Sequence, residues 1–199
     1  MLRLGPDHGP TILALPALFE EANRSRTLLV AMLRRLADRG IAGAIPDLPG
    51  QGDSLLPTRQ ARLSMWRDAV AAAATTLAGP VHLVALRGAA LAATTIDPAS
   101  CWYLSPLTGE EQVRELRRLR IAGAGDDYAG NIIADAMIDD LAHAPLPDGA
   151  RTRVVRLAGD PRPADNHLPG APPWRAAEPV AAPALGDALA QDIAAWIAG

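Results

Sequence analysis

The sequence predicts an open, doubly wound α/β sheet of about six mostly parallel strands, and three observations carry that expectation. Short apolar runs of strand length recur at Thr11–Leu15, Ile41–Pro46, Val81–Leu86, Cys101–Leu104 and Thr152–Leu157. Segments with apolar residues at helical spacing stand between them. The first strand, helix and strand fit within about 35 residues, the length of a βαβ unit, whose crossover places its strands parallel.

Thr11–Leu15 is closed by Pro16, as a buried strand would be. The polar stretch from Phe19 to Arg26 leads into a helix bearing Leu28, Leu29, Met32, Leu33 and Leu36, and Gly40 suits its C-terminal end. Ser25 reads as the N-cap of that helix. After the second strand comes the turn from Asp47 to Ser54, then an alanine-rich helix over Met65–Leu77, stopped by Gly79-Pro80. Val81–Leu86 runs straight into the small-residue segment from Arg87 to Ala93, which reads as a helix. Beyond Cys101–Leu104, two helical segments near Glu110–Ile121 and Ile132–Leu141 follow without a strand between them, a pattern of a helical cap insertion at 107–147 within one domain. Thr152–Leu157 ends in Gly159-Asp160-Pro161, the proline-rich stretch to Pro183 carries a short edge strand around Trp174–Ala177, and Ala184–Ile197 closes as an amphipathic helix.

Composition narrows the function. Among 199 residues all 19 cationic side chains are arginine, so lysine Schiff-base and P-loop chemistry are excluded. A net charge of −3 argues against nucleic-acid partners and anionic membrane surfaces. The lone Cys101 excludes an internal disulfide framework and a cysteine-based metal site. The residues beyond Met1 lack a signal-peptide pattern, and no apolar run approaches membrane-spanning length, so a cytoplasmic protein without membrane insertion is expected. Asp126-Asp127 and Asp139-Asp140 are adjacent pairs pointing in divergent directions, Gly123 and Gly125 follow no strand, and no metal or cofactor is expected. The arginines from Arg114 to Arg120 interleave with Glu110, Glu111 and Glu115 as an ion-paired, solvated helix face. His82 reads as a half-buried sheet residue and His143 as a loop residue.

In an open α/β sheet, ligands bind at the carboxyl ends of the strands. There, His82 to Ala89 has the shape of a nucleophile elbow, with small Ala85 and Ala89 two residues either side of the central position. The central residue is Arg87, a permanently protonated guanidinium that cannot serve as a nucleophile.

Several blocks in order along the chain carry a resemblance: residues 16–26 (PALFEEANRSR), 47–54 (DLPGQGDS), 85–89 (ALRGA), 104–110 (LSPLTGE) and Pro172-Pro173-Trp174. On these the chain resembles the α/β-hydrolase-fold proteins associated with the exosortase A system of exopolysaccharide-producing bacteria. The resemblance implies that fold, an arginine at the elbow, and a hydrolase acting on an ester, thioester or acylated saccharide. Ala85 and Gly88 depart from a glycine-leucine-arginine-leucine-glycine elbow, and the short chain leaves little room for the fold's N-terminal hairpin.

By chain order Asp160 occupies the acid position of such a fold, while His167, seven residues later, is too close to complete a serine triad comfortably. Arg87, Asp160 and Glu20 are therefore the candidate catalytic residues, with Asn23, Arg26, Ser54 and Gly88 as candidate binding residues. No histidine is placed to activate Ser54. Arg87 either anchors a small anionic or acylated molecule or is neutralised by Asp160 or Glu20 in a structural ion pair. A catalytically silent protein that binds an anionic metabolite or a protein partner is the alternative to a hydrolase.

Overall fold

The computed structural model describes residues 1–120, 125–149, 151–179 and 182–199. Its centre is a seven-stranded sheet in which β2 (Thr11–Leu15), β3 (Ala42–Ile45), β4 (Val81–Leu86), β5 (Ser100–Leu104) and β8 (Thr152–Leu157) are joined in parallel pairs. The edges are β1 (Leu2–Leu4), antiparallel to β3, and β9 (Asn166–Leu168), parallel to β8, giving the order β1-β3-β2-β4-β5-β8-β9. The fold class is the expected one, with two differences at the edges. The residues before Thr11 supply a short edge strand, and the last strand is Asn166–Leu168 rather than Trp174–Ala177. Trp174 instead belongs to a single 3-10 turn, Pro173–Arg175, whose prolines remove the backbone donors a strand would need.

Alternation along the buried strands sorts the core into two layers. Ile12, Ala14, Val84, Leu86, Trp102 and Val155 face α1 (Glu20–Ala37) and α5 (Pro183–Ala198). Leu13, Leu15, Leu83, Ala85 and Tyr103 face the opposite layer, built from α2 (Leu63–Thr75), α3 (Gly109–Leu119) and α4 (Asp135–Ala142). Between α3 and α4 lies a two-residue-per-strand hairpin, β6 (Asp127–Tyr128) and β7 (Asn131–Ile132), so the second helical segment begins three residues later than its periodicity suggests. Gly123 of the glycine pair lies outside the described residues.

Helix α1 begins at Glu20, six residues before the polar stretch ends. Ser25 is thus inside the helix, fully buried, and its hydroxyl donates back to the Glu21 carbonyl at 2.7 Å, which corrects its reading as an N-cap. Helix α3 does carry a capping box: Thr108 Oγ1 accepts from Glu111 N at 3.2 Å and Glu111 Oε2 accepts from Thr108 N at 2.9 Å. Residues Arg87–Ala92 form the helix expected after the elbow, wound as a 3-10 helix.

Candidate functional site at the carboxyl ends of the strands

Strand β4 ends at Leu86, and the chain turns at Arg87 with φ 56, a left-handed conformation that costs an L-residue about 1–3 kcal/mol. Leu86 pairs in register with Leu104 of β5, and the residue after Leu104, Ser105, also has positive φ, at 47. Two strained residues thus lie side by side at neighbouring strand ends. Phe19, at φ 55, makes a third such turn where β2 gives way to α1.

Arg87 and Ser105 form the floor of a cleft of about 610 Å³. One wall is the α3 stripe Glu111, Arg114, Glu115 and Arg118, residues spaced to share a helix face. Leu157 and the Gly159-Asp160-Pro161-Arg162 turn after β8 form another side, and Pro172, Trp174 and Arg175 close it. A smaller cleft of about 240 Å³ adjoins it across Arg87, reaching Glu20, Glu21 and Arg24.

Arg87 is 4% exposed, and its charge is met by Glu21 rather than by Asp160 or Glu20. The guanidinium donates through Nε to both carboxylate oxygens at 3.3 Å and through Nη2 to Oε1 at 3.2 Å. It also lies 4.9 Å from the ring centroid of Trp174. Nη1 has no hydrogen-bond partner among the described residues and belongs to the side chain that floors the cleft. The ion pair and the open cleft therefore coexist. Burial raises the Glu21 carboxyl above its ordinary value, a rise opposed by the charge and hydrogen bonds of Arg87.

The other candidates are dispersed. Asp160 reaches the large cleft, but Arg162 donates to it at 2.7 Å and Arg156 at 3.1 Å. Those Arg162 hydrogen bonds, against a burial effect of opposite sign, hold its carboxyl well below the usual range, so it is a poor proton acceptor. His167 Nε2 is directed at the backbone carbonyls of Asp160 (3.0 Å) and Arg162 (3.1 Å), not at a carboxylate or hydroxyl. Glu20 pairs with Arg24 at 2.8 Å on the margin of the smaller cleft. Asn23 and Arg26 lie away from Arg87, around a shallow depression with Gln51. Ser54 locks its own turn, accepting from Gly50 N at 2.9 Å and Leu56 N at 3.2 Å. Gly88 packs against the Gln112 side chain, whose Oε1 would lie 2.1 Å from an added Cβ and would have to swing aside to admit one. The structure does not bring Asn23, Arg26 or Ser54 to the Arg87 cleft.

The arginine-rich face of α3 is only partly the solvated surface expected. Arg118 pairs with Glu115 at 2.9 Å, yet both line the cleft together with Arg114. His82 is buried rather than half-buried, sharing a 2.8 Å hydrogen bond with Ser100 Oγ, and burial lowers its pKa. His143 caps the end of α4. Among the described residues no group of metal-ligating side chains converges, and no helix is long and apolar enough to cross a membrane.

Sequence reasoning missed Glu21 as the partner of Arg87. The signal was present: Glu21, Ser25, Leu28 and Met32 share one helix face, the face that α1 buries, whereas Glu20 is a step away from it. Ser105 carried no such signal, because a serine before a proline is ordinary turn sequence.

Comparison with solved structures now decides the fold. The chain superposes on Est1E from Butyrivibrio proteoclasticus with ferulic acid bound, at TM-score 0.66 and 15% identity, covering 98% of this chain and 92% of that one. The fold is that of the α/β hydrolases. A putative hydrolase from Agrobacterium vitis S4 matches similarly (TM-score 0.65, 15% identity, 98% and 91% covered). A thermophilic esterase from Thermogutta terrifontis, with malate bound, gives TM-score 0.57 at 17% identity over 99% and 92%. No protein-family profile matches the chain, and no curated sequence does. By position in that fold, the β4–Arg87 turn stands where α/β hydrolases carry their elbow, and Phe19-Glu20-Glu21 stands at the strand-to-helix junction that follows β2.

Proposed function

We propose that this chain is a hydrolase of the exosortase A-associated kind that cleaves an ester, thioester or acylated saccharide without a serine nucleophile. The observation that carries the reading is the Arg87–Glu21 pair: a buried guanidinium at the strained elbow, facing the cleft, joined to a carboxylate whose pKa is raised by burial. Glu21 accepts a proton from water, and the water oxygen adds to the acyl carbon while the Arg87 guanidinium stabilises the developing oxyanion. Collapse releases the free acid and an alcohol or thiol, which takes the proton from Glu21.

A second reading is favoured by Asp160 and His167. The acid is held by two arginines and the histidine is directed at backbone carbonyls, an arrangement that supports a cleft that only binds its anionic ligand, a metabolite or a protein partner. A panel of activated esters and thioesters, assayed with the wild type, Glu21→Gln and Arg87→Ala, separates the two. Turnover in the wild type that falls at least a hundredfold in both variants supports hydrolysis. An inert wild type overturns it and leaves the binding reading.

A further inference from the structure

We infer that Ser105 is the second donor of an oxyanion anchor on the cleft floor, and that the compounds held there are acyl groups with an aliphatic chain. The inference rests on the Arg87 cleft being the ligand site and adds to it a residue and a substrate class. Ser105 is 2% exposed and lines the 610 Å³ cavity, and its hydroxyl makes no hydrogen bond to another described residue. A hydroxyl that faces a cavity and has no protein partner is free to donate to a ligand atom there.

The backbone places it deliberately. Ser105 N donates to Val155 O at 2.8 Å and Leu107 N lies 3.4 Å from Arg87 O, which hold the turn in its positive-φ form beside Arg87. Neighbouring strands run about 4.8 Å apart, so the two residues start from adjacent strand ends, and both line the one cleft. Arg87 spends Nε and Nη2 on Glu21, which leaves Nη1 as its ligand edge. Leu107, Leu157 and Trp174 line the same cavity and supply apolar surface on which a hydrocarbon chain is buried. An oxyanion pair of donors with Leu107, Leu157 and Trp174 beside it fits an acyl carbonyl in reaction and a fatty carboxylate after it.

The test uses octanoate as the probe, octanamide as its neutral match, and calorimetric titration of the wild type, Ser105→Ala and Ser105→Gly. The wild type is expected to bind octanoate at least tenfold more tightly than octanamide, and Ser105→Ala to lose roughly tenfold for octanoate. Ser105→Gly removes the hydroxyl and relieves the positive-φ strain, so it should lose as much affinity as alanine while unfolding at the same or a higher temperature. Unchanged octanoate affinity in either variant overturns the anchor, as does an octanamide affinity equal to that of octanoate, or no octanoate binding to the wild type. Failure of the hydrolase reading shows differently: no ester is turned over, yet octanoate binding still depends on Ser105.

Discussion

Arg87 and Glu21, 66 residues apart in the chain, are joined by three hydrogen bonds of 3.2–3.3 Å where the sheet meets α1. This contact ties the elbow to the loop that flanks it, and it sets the balance between charge burial and ligand access. Removing one member of a buried pair leaves the other uncompensated and costs on the order of 3 kcal/mol, whereas replacing both by apolar groups is often neutral. Glu21→Leu should therefore destabilise strongly in urea unfolding, and the double variant Glu21→Leu/Arg87→Met should recover most of the loss. A double variant no more stable than the single one would show that the pair contributes little.

Restoring serine at the elbow should not restore serine chemistry. In Arg87→Ser the new hydroxyl has no imidazole to activate it, because His167 Nε2 is directed at the carbonyls of Asp160 and Arg162. A fluorophosphonate probe is expected to leave both Arg87→Ser and the wild type unlabelled. Stoichiometric labelling would mean that a base reaches the elbow after all.

The pH dependence of turnover follows from Glu21. Its carboxyl is raised by burial, so the base form is lost at a higher pH than for an ordinary glutamate, and the acid limb of kcat/KM should lie above the ordinary carboxylate range. The limb should vanish together with the activity in Glu21→Gln. A limb at the ordinary glutamate value, retained in that variant, assigns the proton to another group.

Asp160 has the opposite sign. Its folded pKa is depressed by Arg162, so its contribution to stability is complete above the unfolded value near about 4 and is lost as pH falls from there through the folded value. Asp160→Asn should lower stability at neutral pH and converge on the wild type in acid. Parallel curves for the two proteins across that window would remove Asp160 from the acid response.

Gly109 opens α3 where α4 crosses it, and a Cβ there would stand 2.0 Å from Leu141 O and 2.9 Å from Ala144 O. Backbone cannot rotate away as a side chain can. Gly109→Ala is expected to cost roughly 1–3 kcal/mol and to displace the cleft wall that Arg114 and Arg118 occupy. Wild-type melting temperature in that variant would show α4 to be freely displaceable.

Much of this architecture is written in local patterns. The five central strands are short apolar runs between turn residues, and Leu28, Met32 and Leu36 mark the buried face of α1, so layer and direction follow from periodicity. Arg87 at the elbow was legible for the same reason, since Ala85 and Ala89 frame it. The partner of Arg87 was not, because choosing Glu21 over Glu20 depends on where α1 starts, and helix onset is fixed by the positive-φ turn at Phe19 rather than by Ser25. Asn23 and Arg26 share a sequence neighbourhood with the cleft and not a spatial one, because α1 turns them to another side, while Ser54 is committed to its own turn after β3. The edge strand Asn166–Leu168 was hidden by prolines on both sides, and its place is set by pairing with β8 over residues Val155–Leu157.

The packing of α5 against α1 bears on the order in which the protein can be made. One face of the sheet presents Ile12, Val84, Trp102 and Val155 to these two helices, and Leu185, Leu189 and Ile193 of α5 seal it, held by the Arg35–Asp187 ion pair. During synthesis from the N-terminus the sheet and α1 emerge first, so that face stays wet until residues 183–198 leave the ribosome. Nascent chains halted before Pro183 would expose a broad apolar surface and recruit chaperones, making α5 the step that commits the molecule to its native state.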